Sequence, residues 1–254
     1  MNFREPSGAR PSRRLIEAPP FSASDRWDLA VAPAVEAIAA MTLAIGGDPL
    51  DQNDIPCCVA IALTTAMQFV GATVPLSPLF NYFLSRRDPA VIDDVEIFNA
   101  FRSASIDGVC ARSLHPSNFD EPSALAAPSA EAAVDALTQR LNPTPLGLAS
   151  FGRVDMDVAE WKATIAKSLP VLFGFAMSPE YDAIRNGTTV ELASPSERGA
   201  GHTVLAIGFD DAAGHFIVRD SRGPAIGISG TWNLPYARIG EAFIFESWVV
   251  TAVP

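Results

Sequence analysis

The chain has 254 residues, 48% of them hydrophobic and 19% charged, which is enough to bury one substantial core or two packed lobes without metal or disulfide staples. Its net charge of −11 at neutral pH argues against nucleic-acid and anionic-membrane partners, since both need a basic patch that the sequence lacks. Neither a basic leader with an apolar core nor an apolar run of about 18 residues is visible, so the expected location is cytoplasmic, or exported without a cleavable signal peptide.

Residues 1–26 scatter Arg4, Arg10, Arg13, Arg14 and Arg26 among Pro, Ser and Gly with little apolar periodicity, and read as a flexible N-terminal arm ahead of a domain over 27–254. From Pro56 the stretch CCVAIALTTAMQFVG is apolar on nearly every face and stops at Gly71, which describes a helix buried all round with Cys58 in its first turn. Ser77-Pro78 offers an N-cap with proline at the first helical position, ahead of LFNYFLSRR. Residues near 93–104 and 129–141 carry further helical spacing. After Asn142-Pro143 the character changes. LGLASFGRV and VLFGFAM read as strands around a helix at about 157–168, and from His202 onward β-rich segments dominate. HTVLAIGFDD, a turn ending at Gly214, and HFIVRDS make a hairpin, with GISGTWNLP and FIFESWVVTAV completing the sheet. The expected fold is therefore α+β, with a helical lobe over approximately 50–141, an antiparallel β lobe over approximately 142–254, and a groove between them.

Three histidines bound any imidazole mechanism. His115, in the loop segment SLHPSNF, and His215, directly after a turn glycine, read as solvent-facing. His202 opens a long apolar strand, where a ring can face a cleft, although position alone also suits a satisfied structural histidine. A thiolate at Cys58 would be stabilised by the positive end of a helix and by a nearby imidazolium; the alternative is a small buried hydrophobe, and Cys57 shares both readings. With Cys110, these cysteines form no disulfide framework, which suits a reducing compartment.

The segment DQNDIPCCVA at 51–60 resembles the active-site segment of papain-like (C1-type) cysteine peptidases, in particular bacterial members with a DQ…C-x-A pattern. The resemblance places Gln52, six residues before Cys58, as the oxyanion donor and so selects Cys58 over Cys57 as nucleophile. GAGHTVLAIGFDD at 199–211 is similar to the family's G-H-A-V-x-x-V-G-Y-D segment, with His202 at the catalytic histidine. FIVRDSRG at 216–223, followed by Gly227 and Gly230, is similar to F-x-x-x-N-S-W-G…G…G, with Asp220 at the orienting asparagine. Three separated motifs in order over roughly 50–250 are far more specific than any one of them. Leu76-Ser77-Pro78 and Gly108-Val109-Cys110 are weaker echoes, and the family's usual disulfide partner position is Ile55 here, which leaves Cys110 a packed thiol.

The resemblance implies a thiol peptidase or amidase working on a peptide or protein substrate through a Cys-His-Asp mechanism, with no cofactor. It also exposes departures. The tryptophan that covers the histidine–asparagine pair is Arg222, and the one that follows the nucleophile is Val59, so both aromatic shields are missing. Asp220 and Arg222 lie two apart, so a fork–carboxylate pair could buttress Asp220 or draw it away from His202. Gly201 before the histidine would leave one wall of the side-chain pocket open. Two further readings keep the fold: a transpeptidase, cyclase or deamidase on one specific substrate, and a catalytically impaired peptide-binding module. A metal shared by Cys57, Cys58 and His202 is disfavoured by the geometry of adjacent cysteines.

Overall fold

The computed structural model describes residues 9–12, 38–140 and 151–251. In chain order these hold strands β1 (Ala9–Arg10) and β2 (Ala40–Thr42), helices α1 (Cys58–Val70) and α2 (Pro78–Ser85), strand β3 (Val95–Glu96), and helices α3 (Ile97–Ile106), α4 (Glu121–Leu125) and α5 (Ala130–Ala136). Strand β4 (Phe151–Arg153), helix α6 (Val158–Ala166), strand β5 (Val171–Ala176) and helix α7 (Pro179–Arg185) follow. Strands β6 (Gly201–Asp210), β7 (His215–Arg219), β8 (Thr231–Pro235) and β9 (Ile244–Val250) complete the chain.

Helix α1 is the centre of the helical half. Its residues from Cys58 to Thr64 are all buried, and it packs against α2 and α3 on one side and β6 on the other. An apolar helix can be sheathed in this way because no face needs water. Ser77 caps α2 by accepting from the Phe80 N–H at 3.2 Å, with Pro78 supplying a φ already suited to the first turn. The helix expected over 93–104 begins later, at Ile97, because Val95 and Glu96 are drawn into pairing with β1. The one expected over 129–141 ends its α-helical part at Ala136 and tightens into a 3-10 turn through Gln139.

Strand β6 is the spine of the sheet. One edge carries β5 at residues 201–206 and then β2 at 208–210, and the other carries β1 at Gly201 and then β7 at 205–210. Being paired on both edges and covered on both faces, its eight central residues are all buried, which explains an apolar run in place of alternation. The expected hairpin is present, turning at Gly214 with φ +72. Strand β9 pairs antiparallel with β5, β4 with β9, and β8 with β7. Part of the strand expected in LGLASFGRV lies outside the described residues; Phe151–Arg153 is its described end.

Of the arm expected over 1–26, residues 9–12 are described, and these are tied to the rest of the chain. Ala9 and Arg10 pair in parallel with Val95 and Glu96, Arg10 forms an ion pair with Asp93, and Ser12 gives its N–H and its hydroxyl to the buried Glu246 carboxylate at 2.9 and 3.1 Å. The hydroxyl of Ser12 in turn accepts the Phe98 N–H. Gly201 belongs to this junction. A Cβ there would lie 2.4 Å from the Ala9 carbonyl oxygen, so the glycine is required by the close passage of β1, not by an open pocket wall.

Candidate active site

Three elements bring the sequence-derived site residues together. Cys58 is the first residue of α1, with Cys57 as an N-cap that makes no side-chain capping bond. His202 is the second residue of β6, paired with Phe175 on β5. The register that sets Leu205 opposite Arg219 puts Asp220, one residue beyond β7, on the same face as His202, because facing residues and residues two apart share a side. His202 Nε2 lies 2.9 Å from Asp220 Oδ1.

The carboxylate of Asp220 is fully buried and fully engaged. Oδ1 also accepts from the Ser221 N–H at 2.8 Å, and Oδ2 accepts from the Tyr181 hydroxyl at 2.9 Å and the Trp232 indole N–H at 2.7 Å. Burial alone would raise its pKa. The neighbouring His202 and the hydrogen bonds from His202, Trp232 and Tyr181 outweigh that and hold it below the usual carboxylate range. Asp220 is therefore ionised and can only accept, so the proton of the shared bond sits on His202 Nε2. The other ring nitrogen, Nδ1, is then the basic one; it is buried and makes no hydrogen bond. The tautomer is decided by the acceptor-only partner.

Cys58 is fully buried, and desolvation pushes its thiol up to about 12; the Thr203 backbone hydrogen bond and the Arg222 charge pull in the opposite direction. Cys57 is also raised well above the usual thiol value, by burial and by Cys58. At rest the sulfur is thus a thiol, and it becomes a nucleophile only by passing its proton to a base. Gln52 is fixed in the same cluster: its carbonyl oxygen accepts from the Ser221 hydroxyl at 2.7 Å and its amide donates to the Ile55 carbonyl at 2.9 Å. An amide nitrogen carries two protons, so one donor remains. The main chain ties the same segments, since the Gln52 N–H donates to the Ser221 carbonyl and the Gly223 N–H to Leu50. Gln52, Ser221, Asp220 and His202 form one continuous hydrogen-bonded chain.

The aromatic cover expected to be missing is rebuilt from other elements. Phe175 meets His202 edge-on at 5.7 Å, Tyr181 lies 5.5 Å from its ring, and Trp232 packs on both Phe175 and Tyr181. Phe175 and Trp232 lie in strands that the sequence announces, but neither strand's pattern marks them as neighbours of His202. Tyr181 comes from α7, which sequence reasoning missed, although Ser178-Pro179 repeats the Ser77-Pro78 signature and Ser178 caps that helix. Arg222 forms no ion pair with Asp220; Nη1 donates to the Asn53 carbonyl at 3.3 Å, so neither the buttressing nor the diverting contact is present. His115 is not solvent-facing: it is 5% exposed, packed edge-on against Phe80, and burial lowers its pKa. His215 is half-buried at the start of β7, and Cys110 is a buried free thiol. Among the described residues, no three His, Cys, Asp or Glu side chains converge to hold a metal, and no helix is long and apolar enough to cross a membrane.

No family model matches the sequence. The chain is 24% identical over 218 residues to the uncharacterized peptidase C1-like protein L477 of Acanthamoeba polyphaga mimivirus, spanning 80% of this chain and 70% of that protein. Among solved structures it resembles xylellain, a cysteine protease from Xylella fastidiosa, with a TM-score of 0.84 at 24% identity over 99% of this chain and 97% of the other. It also resembles digestive procathepsin L2 proteinase from the Tenebrio molitor larval midgut, with a TM-score of 0.71 at 15% identity over 98% and 79%. With its central buried helix packed against β6 of its β-rich half, the chain has the papain-like cysteine protease fold.

Proposed function

We propose that the chain is a papain-like cysteine peptidase or amidase acting on a peptide or protein substrate, with Cys58 as nucleophile, His202 as general base and acid, Asp220 as orienting group and Gln52 as oxyanion donor. The observation that carries this reading is the 2.9 Å contact of His202 Nε2 with the fully bonded Asp220, an acceptor-only partner that keeps the proton on Nε2 and leaves Nδ1 as the base. In the first step the Cys58 proton moves to Nδ1 while the sulfur adds to the scissile carbonyl. The resulting oxyanion is met by the remaining Gln52 amide proton and the Cys58 N–H at the start of α1. The imidazolium, stabilised by the Asp220 charge, returns the proton to the leaving amine, giving a thioester and a free amine. Water then adds, His202 again takes and returns one proton, and the acid product leaves with the thiol restored.

The test is labelling of the wild type, Cys58→Ala and Cys57→Ala with an epoxide or vinyl-sulfone probe between pH 5 and 9, read by intact mass. Rapid labelling lost only in Cys58→Ala supports the assignment; labelling as slow as that of a free thiol argues instead for a peptide-binding module without turnover.

A further inference from the structure

Arg222 stands two residues beyond Asp220, in the segment that carries the Ser221 contact to Gln52. Its guanidinium is held from one end only, by the 3.3 Å bond from Nη1 to the Asn53 carbonyl. Nε and Nη2 are buried and make no hydrogen bond. Those two nitrogens form the side-on fork of a guanidinium, two parallel N–H donors matched in spacing to the oxygens of a carboxylate. Donors shielded from water and left unmatched are unfavourable, and an incoming acceptor relieves that penalty.

The same guanidinium borders a surface pocket of about 250 Å³, whose walls also include Arg185, Ala225 and Ile226. Two carboxylates, Asp51 and Asp54, line it as well, yet among the described residues neither lies within ion-pair distance of Arg222. Asp51 instead accepts the Asn53 N–H at 2.9 Å, and Arg185 is engaged with Asp182. Arg222 is thus the cation of this pocket without a carboxylate of its own, and the flanking aspartates favour a singly charged ligand over a dianion.

We propose that Arg222 is a specificity residue that receives a carboxylate of the substrate, either an acidic side chain or the C-terminal group, in the pocket beside Gln52. The inference rests on the peptidase reading and adds a substrate class to it. It concerns recognition, and because the test compares charged with neutral substrates, the effect of the Arg222 charge on the Cys58 thiol cancels in the ratio.

The experiment uses the full chain and a set of internally quenched peptides in which Glu replaces Gln at each position in turn, with the C-terminus free or amidated. For the wild type, one Glu position or the free terminus is expected to raise kcat/KM about tenfold through KM, as one charge-assisted fork contact implies. In Arg222→Gln the ratio of charged to neutral substrate falls to about one, and Arg222→Lys keeps part of it. Preference at a Glu position identifies the side chain as source; preference confined to the free terminus identifies the C-terminal group. No charge preference, or a preference that survives Arg222→Gln, overturns the inference while leaving the peptidase reading intact. Failure to cleave any peptide counts against the peptidase reading alone, and binding of the same peptides to Cys58→Ala, followed by fluorescence anisotropy, then decides the role of Arg222 by the same ratio.

Discussion

Replacing Asp220 by Asn, the residue found at this position in the resemblance, should harm this protein, and the structure says why. Asp220 accepts four hydrogen bonds, two at each oxygen. An asparagine can keep its carbonyl toward His202 and Ser221, but its NH2 then faces Tyr181 and Trp232. The tyrosine hydroxyl can rotate and accept; the indole N–H can only donate, and it is left facing another donor. One orphaned buried donor costs about 1–3 kcal/mol, and for a domain of this size each kcal/mol lowers the melting temperature by about 2–4 °C. Urea unfolding of the wild type, Asp220→Asn, Trp232→Phe and the double variant gives the coupling directly. Asp220→Asn should be destabilising alone and milder by about 1 kcal/mol in the Trp232→Phe background. The pH dependence has a definite sign. Because the folded pKa of Asp220 is depressed, its stabilisation is complete above the unfolded carboxylate value near ~4 and is lost as pH falls through the folded value, so the two proteins should converge only in acid. An Asp220→Asn protein as stable as the wild type at pH 7, or a cycle with no coupling, would refute the account of the carboxylate.

With the Cys58 thiol pushed up to about 12, its reactivity depends on His202: in His202→Ala, probe labelling should rise monotonically through pH 9 with no neutral plateau, while the wild type labels near pH 7. Gln52→Ala should lower kcat by about 10²-fold or more with a smaller change in KM, measured on any cleaved peptide; an effect confined to KM would remove Gln52 from the oxyanion role. Gly201→Ala forces β1 away from β6, since the added methyl meets the Ala9 carbonyl; faster tryptic cleavage after Arg10 is the readout, and unchanged cleavage would show that the close approach is dispensable.

The sequence by itself determined the local elements and named the candidate reactive groups. An all-apolar run closed by Gly71 reads as a sheathed helix, Ser77-Pro78 caps the next one, and the β6–β7 hairpin follows from a long apolar run, a turn glycine and a short alternating strand. Three motifs in order carried Gln52, Cys58, His202 and Asp220. What tertiary structure decided is what surrounds them. The aromatic cover of His202 comes from β5, α7 and β8, which lie 21 or more residues from His202 on one side or 30 on the other and meet only when the sheet closes. The strand at Ala9–Arg10 has no periodicity to betray it, because two residues do not make a pattern; it exists through pairing with Val95 and Gly201, and Ser12 beyond it is held by the Glu246 carboxylate. Side-chain direction is likewise invisible in a one-dimensional spacing: Asp220 and Arg222 look like partners at two residues apart, yet both lie beyond the end of β7, where strand alternation no longer holds, and the arginine reaches the Asn53 carbonyl. Local propensity is written residue by residue, whereas the neighbours that set a pKa, a tautomer or a specificity arrive from distant segments through long-range packing.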